Sequence, residues 1–149
     1  MYARILVPID GSPTSQRALQ EALTRGKRLE SAVVLLHVVD AYPMMIEMAT
    51  STTWDRITEG LRQVGRSVLE AAHEAASKQG VPCESVLEDV AAARVADVIV
   101  EQAKSRRCEL IVMGTHGRRG AGRALLGSDA ELVLRLSPVP VLLVRAPQG

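Results

Sequence analysis

A glycine-rich stretch from Gly114 to Ser128 carries the residue types best suited to chemistry in this chain. An apolar run precedes it and a helical pattern follows it, which predicts the order strand, loop, helix. Glycines let backbone N–H groups approach an oxyanion closely, and the first turn of a helix adds further N–H donors. A phosphate site is therefore the first hypothesis for the spacing G-x2-G-x9-G-S, formed by Gly114, Gly117, Gly127 and Ser128. Three arginines add positive charge to the same loop: Arg118, Arg119 and Arg123.

Two better-known phosphate motifs do not fit this loop. Gly117 and Gly122 have the spacing of the P-loop, but Arg123 stands where that motif has its lysine. The dinucleotide pattern G-x-G-x-x-G, started at Gly120, has Leu125 in place of its third glycine. The alternative to a phosphate site is a connection in which the glycines only make turns and a serine caps the helix. The spacing alone does not choose between the two.

Asp10 is a second candidate, at the carboxyl end of the first apolar run. Ser12 and Pro13 follow it and are typical of a helix start. Ligands of open α/β sheets bind at the carboxyl ends of the strands, where a carboxylate can accept a ribose hydroxyl or hold the water of a metal ion. The alternative is an Asx turn that helps to start the helix. His37 lies inside the second apolar run, which favours a packed, hydrogen-bonded histidine over a catalytic one.

Strands and helices alternate along the whole chain. Short apolar runs predict five strands: Ala3–Ile9, Ala32–Val39, Cys83–Glu88, Glu109–Met113 and Val141–Val144. Helical periodicity predicts four helices: Pro13 to Leu29, Thr53 to Gln79 with Gly80 as its stop, Ala93 to Arg106, and one that starts near Ser128 and ends near Leu136. This alternation is typical of a parallel α/β sheet in a single domain over residues 1–149.

Composition excludes several classes of function. The 149 residues are 47% hydrophobic and 23% charged, which indicates a globular chain. A net charge of +1 and 2% aromatic residues argue against nucleic acid and acidic membranes as partners. The chain shows no apolar leader and no long apolar run, so a cytoplasmic protein is expected. Cys83 and Cys108 are isolated, which favours reduced thiols over a disulfide or a metal site.

The last strand predicts a partner surface. Val141–Val144 is apolar on both faces although it comes last in the sequence. At a sheet edge it would leave unpaired backbone groups beside apolar side chains, which a second subunit could cover. A homodimer through the strand at Val139–Val144 is therefore expected.

Five segments together resemble the universal stress protein family over nearly the full length. They are ILVPIDGS from Ile5, LLHVVD from Leu35, LIVMGTHG from Leu110, LLGS from Leu125 and SPVPVLLV from Ser137. The resemblance implies an open parallel sheet in the strand order 3-2-1-4-5 with helices on both faces. That order would bring Asp10 and the glycine loop to one crevice.

The resemblance also implies a ligand. Members that bind ATP carry G-x2-G-x9-G-[ST], which is intact here, so ATP or another adenine nucleotide is expected, with Mg²⁺ held by its phosphates. Three groups of site residues follow by resemblance: Pro8, Asp10 and Val38 at the adenosine end, Met113 and Gly114 beneath the ribose, and Gly117, Gly127 and Ser128 at the phosphates.

Three functions remain open at this point. The first is an ATP-binding stress or signalling module that acts as a nucleotide-responsive homodimer. The second is a slow ATPase or phosphotransferase, for which the sequence offers no base with a clear partner. The third is a nucleotide-free dimeric scaffold in which the glycine motif is structural.

Overall fold

The structure, a computed structural model, describes residues 1–41, 51–90, 93–116 and 126–146, and of residues 51 and 52 the backbone only. Five strands and four helices alternate in it. The strands are β1 (Arg4–Pro8), β2 (Ala32–Val39), β3 (Cys83–Asp89), β4 (Leu110–Gly114) and β5 (Val141–Val144). The helices are α1 (Pro13–Leu29), α2 (Ser51–Gln79), α3 (Val95–Ser105) and α4 (Ser128–Leu136).

All five strands are parallel, as the alternation of strands and helices predicts, and lie in the order β3-β2-β1-β4-β5 that the family resemblance implies. In the centre Pro8 of β1 lies opposite Leu36 of β2, and Leu6 lies opposite Ile111 of β4. At one edge Gly114 lies opposite Val144. The sheet therefore has two open edges, β3 and β5, and its switch point lies between β1 and β4.

Helices cover both faces of the sheet because the strands are apolar on both sides. Ile5, Val7 and Val112 point to the face that α1 and α2 cover. Leu6 and Ile111 point to the opposite face, which α3 and α4 cover. Both helix layers pack on the sheet mainly through aliphatic side chains, since the chain has no Phe and only 2% aromatic residues.

Local signals set most helix ends. Ser12 caps α1, and its hydroxyl accepts a hydrogen bond from the Ser15 N–H at 3.2 Å. Gly80 follows α2 with φ 71°, and the Val81 N–H donates to the Ala76 carbonyl at 3.0 Å. This left-handed ending is one that glycine adopts without strain. The Gly80 stop that the sequence predicts is thus confirmed.

The two cysteines are free thiols, as predicted. Burial raises the pKa of the Cys83 thiol. Burial also raises the pKa of the Cys108 thiol, and the nearby Arg4 and Arg106 guanidinium groups counteract this in part. Within the described ranges no cluster of three His, Cys, Asp or Glu side chains could hold a metal ion. Among the helices described, none is long and apolar enough to cross a membrane.

Candidate functional site

The carboxyl ends of β1 and β4 are neighbours at the switch point of the sheet. β1 leads into α1 on one face, and β4 leads towards α4 on the other face. Neighbouring strands whose connections leave to opposite faces create the cleft in which open α/β sheets bind ligands. Asp10 follows β1 directly and Gly114 ends β4, so the topology brings both predicted candidates to this crevice.

An Asx turn fixes Asp10 at the end of β1. Its Oδ1 accepts a hydrogen bond from the Ser12 N–H at 2.8 Å. The Asp10 N–H donates to Ser15 Oγ at 3.3 Å. Gly11 between them has φ 82°, a left-handed conformation that disfavours side chains with a Cβ. The turn predicted as the alternative role of Asp10 is therefore present, and it holds the carboxylate at the switch point.

Gly114 has a packing role on the α1 side of the sheet. A Cβ built on Gly114 would lie 2.8 Å from both Cβ and Oγ1 of Thr14, in the first turn of α1. The Thr14 hydroxyl also donates a hydrogen bond to the His116 carbonyl. The missing side chain of Gly114 therefore lets α1 approach the end of β4, where Thr14 holds the chain as it leaves the strand.

Gly127 packs against the same end of β4. Its N–H donates to the Thr115 carbonyl at 2.8 Å, and a Cβ on Gly127 would lie 2.8 Å from that oxygen. The Thr115 N–H in turn donates to the Val144 carbonyl at 2.9 Å. Thr115 is itself buried. Only glycine fits the position at which the chain comes back from the loop to begin α4.

The expectation that Ser128 caps α4 is wrong. The cap is Gly127, with φ −60° and ψ 148°, and Ser128 is the first helical residue. The first intrahelical bond runs from the Glu131 N–H to the Gly127 carbonyl at 2.9 Å. The N–H groups of residues 128–130 thus form the first turn, where a helix presents donors and the positive end of its dipole.

Three aliphatic candidates share the opposite face of the sheet. Met113 belongs to the buried cluster between the sheet and α3 and α4, and Val38 packs against that cluster. Pro8 lies two residues after Leu6, so it points to the same face. The structure therefore brings Pro8, Val38 and Met113 together at the carboxyl ends of neighbouring strands, as an apolar wall beside Asp10.

Part of the predicted site lies outside the described residues. Gly117 and the three loop arginines, Arg118, Arg119 and Arg123, belong to this part. Of the eight predicted site residues, the structure describes Pro8, Asp10, Val38, Met113, Gly114, Gly127 and Ser128.

The two histidines near the crevice have local roles. His37 is buried, and its Nδ1 lies 2.8 Å from the Ile9 carbonyl, so the prediction of a packed, hydrogen-bonded histidine is confirmed. His116 Nδ1 lies 3.0 Å from Thr115 Oγ1.

Two surface clefts border α2, and the one against α1 reaches Ile9 and Gly11 on either side of Asp10. One of about 410 Å³ separates α1 from α2, and another of about 540 Å³ lies between α2 and Ser85 of β3. Neither is lined by a residue of β4 or α4.

Two threonines of the crevice were missed at the level of sequence. Both are buried: the Thr14 hydroxyl connects α1 to the end of β4, and the Thr115 backbone carbonyl accepts the Gly127 N–H at the start of α4. The motif GTHG contains Thr115, but only its glycines indicate a function. No sequence signal marks Thr14, because its partner His116 lies 102 residues away.

The chain is similar to proteins of one family along its full length. The family model described as "Universal stress protein family" matches residues 1–145. The universal stress protein MJ0531 of Methanocaldococcus jannaschii is 36% identical over 149 residues, which cover 99% of this chain and 85% of that protein. The solved structure of protein MJ0577 from the same organism superimposes with a TM-score of 0.88 at 26% identity, covering 100% of this chain and 99% of the other.

Two more distant structures share the fold and carry nucleotides. A universal stress protein in complex with cAMP has a TM-score of 0.70 at 22% identity and covers 98% of both chains. An Arabidopsis thaliana family member with AMP bound has a TM-score of 0.71 at 20% identity and covers 97% of this chain and 92% of the other. With a family model that spans residues 1–145 and a relative 36% identical over 99% of the chain, this chain belongs to the universal stress protein family.

Proposed function

We propose that this chain binds an adenine nucleotide, ATP or one with fewer phosphates, in the crevice between β1 and β4. We further propose that it acts in stress response or signalling as a homodimer that responds to the nucleotide. One observation carries the proposal: Asp10 and the first turn of α4 converge at the switch point of a sheet whose sequence keeps G-x2-G-x9-G-S intact. Family structures that hold cAMP and AMP support this ligand class.

The adenosine end is assigned to the apolar wall and Asp10. Pro8, Val38 and Met113 supply aliphatic surface for a flat base, because nucleotide pockets are mostly apolar with a few polar groups that fix orientation. Asp10, held by its Asx turn, is an acceptor for ribose hydroxyls. The backbone at Gly114 passes beneath the sugar in this arrangement.

The phosphate end is assigned to Gly117, Gly127 and Ser128. The N–H groups that start α4 favour an anion through hydrogen bonds and through the helix dipole. The N–H of Gly127 is already donated to Thr115, so the phosphate donors in this region are those of the first helical turn. Since the described residues offer no metal cage, a Mg²⁺ ion would be held mainly by phosphate oxygens and water.

The dimer is assigned to β5, which is one edge of the sheet. Its four residues are all aliphatic and only half-buried. Leu134 and Leu136 at the end of α4 are 50% and 43% exposed. An exposed aliphatic edge strand favours pairing with another chain. The nucleotide can influence this edge through Thr115, which is hydrogen-bonded both to Val144 of β5 and to Gly127 at the start of α4.

The ligand is tested by analysis of the purified protein. The chain is denatured, any released nucleotide is identified by chromatography, and the emptied protein is titrated with ATP, ADP, AMP and cAMP with and without Mg²⁺. Binding of one adenine nucleotide per chain supports the proposal. The same samples are assayed for phosphate release, because turnover that Asp10→Asn abolishes would instead favour an enzyme.

The dimer is tested by light scattering with and without nucleotide. Leu142→Arg in β5 is expected to give a monomer, and Val64→Arg, at an apolar position of α2 that is 43% exposed, is the matched control. A folded wild-type protein that stays monomeric at micromolar concentration would contradict the dimer.

A further inference from the structure

We propose that Thr14 is a positioning residue that sets how the phosphate-binding loop leaves β4. This inference rests on the proposed nucleotide site and assigns a specific task within it. Thr14 lies in the first turn of α1, against Gly114 at the end of β4. It is only 9% exposed.

Hydrogen bonds through Thr14 cross the crevice. The Thr14 hydroxyl donates to the His116 carbonyl, at the point where the chain has just left β4. The same hydroxyl oxygen lies 3.3 Å from Ser12 Oγ, and the Ser12 N–H donates to Asp10 Oδ1 at 2.8 Å. One set of contacts thus connects the carboxylate at the end of β1 with the backbone that leads into the loop.

Steric contacts fix the same junction. Gly114 has no Cβ, and the space where that atom would lie is filled by Thr14, with three Thr14 atoms within 2.9 Å of it. The backbone of β4 and the first turn of α1 are therefore as close as a glycine allows. The Thr14 hydroxyl also donates to the carbonyl of His116, two residues after Gly114. This hydrogen bond fixes the orientation of the His116 carbonyl, immediately before Gly117.

A positioning role for Thr14 and a general stabilising role predict different effects on ligand binding. If Thr14 positions the loop, its loss should weaken the binding of phosphates more than that of adenosine, because its hydroxyl bonds to the His116 carbonyl, whereas Pro8, Val38 and Met113 lie on the opposite face of the sheet. A residue with a general stabilising role would weaken adenosine and ATP alike.

The experiment compares Thr14→Val, Thr14→Ala and Thr14→Ser in the full-length protein. Adenosine and ATP are titrated into each variant by calorimetry, and melting temperatures are recorded. Thr14→Val keeps the shape of the side chain, Thr14→Ala removes the hydroxyl without requiring a branched side chain to fit, and Thr14→Ser keeps the hydroxyl. Thr24→Val is the matched control, since the Thr24 hydroxyl also donates to a backbone carbonyl of α1, that of Gln20, at 2.9 Å.

We expect Thr14→Val and Thr14→Ala to weaken ATP binding about tenfold or more, as is typical when a hydrogen bond to a part-buried carbonyl is lost, and to change adenosine binding less than about threefold. Thr14→Ser and Thr24→Val should bind ATP like the wild type. ATP binding unchanged in the first two variants, or an equal loss for adenosine and ATP, would overturn the role of Thr14 while the nucleotide site stands. A folded wild-type protein that binds neither ligand would overturn the site and this inference together.

Discussion

The two ends of the sheet both carry polar groups, but they arrange them differently. At the amino end, Arg4 Nη2 lies 2.9 Å from Glu84 Oε2, and Arg106 pairs with the other oxygen of the same carboxylate. At the carboxyl end, hydroxyl and backbone groups surround Asp10 and the start of α4. Opposite charges therefore neutralise each other at the amino end. Ion pairs also occur at the carboxyl end, between Arg62 and Asp89 and between Arg94 and Asp97, but they lie beside β3 and the start of α3, and the switch point itself presents N–H donors.

The direction of the helices explains this difference. Each helix runs back from the carboxyl end of the sheet, so helix N-termini gather there and helix C-termini gather at the amino end. Basic residues stand in the last turns, where the helix dipole is negative: Lys27, Arg28, Lys78, Lys104 and Arg135. A polar cluster alone does not make an anion site. An anion site also needs positive helix ends with small residues between them, and among the residues that the structure describes these occur together at the carboxyl end.

The largest effect is expected from a side chain added at the carboxyl end. Gly114→Ala places a Cβ 2.8 Å from Thr14. It should lower the free energy of unfolding by about 1–3 kcal/mol, as overpacking does, and abolish nucleotide binding. Urea denaturation and calorimetry measure the two effects.

Gly60→Ala is the matched control for this change. Gly60 lies within α2 with nothing within 4 Å of an added Cβ. Alanine there should raise the free energy of unfolding by about 0.5–1 kcal/mol, through helix propensity, and leave binding unchanged. A Gly114→Ala variant as stable as the wild type would show that the contact with Thr14 yields easily.

A smaller effect on stability, but a clear one on binding, is expected from Asp10→Asn. The amide oxygen can still accept the Ser12 N–H, so the Asx turn and the free energy of unfolding should change little. Affinity for adenosine should fall about tenfold, because a charge-assisted hydrogen bond to the ribose is lost. Unchanged affinity in calorimetry would mean that Asp10 serves only the turn.

At the amino end, Glu84→Gln should affect only stability. It removes the charge that pairs with Arg4 and Arg106, both partly exposed to solvent. Such pairs contribute less than about 1 kcal/mol, and salt screens them. Urea denaturation at low and high salt should show a small difference that shrinks with salt, while ATP affinity stays constant. A loss of ATP affinity would mean that the two ends are not independent.

The smallest effect is expected at the thiols. Burial raises the pKa of Cys83 and Cys108, so both should react slowly with a thiol reagent at neutral pH and faster as the pH rises towards and above the ordinary thiol range. Cys108, 4% exposed, should be the slower of the two. Cys83 begins β3 and Cys108 stands just before β4, so both lie at the amino end of the sheet, away from the proposed site. Saturating nucleotide should therefore not change the reaction rate of either thiol. Protection by nucleotide would place the ligand elsewhere.

Local signals in the sequence predict much of the fold. The structure has β2 and β5 where the sequence predicts them, because each is a continuous apolar run. The end of α2 also agrees with the prediction, because Gly80 and Pro82 mark it. β4 is shifted by one residue from the prediction, to Leu110–Gly114, since Gly114 pairs with Val144. Composition and periodicity cannot show such a pairing between strands.

The candidate site is predictable in its place but not in its contacts. Spacing marks Asp10 and the glycine motif as candidates, and the strand order that the family resemblance implies brings them to one switch point. The cap of α4 does not: serine has the better propensity, yet Gly127 takes the position because a Cβ there would meet the Thr115 carbonyl. Thr14 is likewise defined by a contact with His116 that only the folded chain creates.

The most direct test of the account is a backbone amide NMR spectrum of the full-length protein, recorded during a titration with ATP and Mg²⁺. Large shifts are predicted for the carboxyl end, at Asp10, Gly114 and Ser128, with Arg4, Glu84 and Glu109 at the amino end unchanged. Shifts concentrated at the amino end, or none at saturating nucleotide with the fold intact, would contradict a nucleotide site at the switch point.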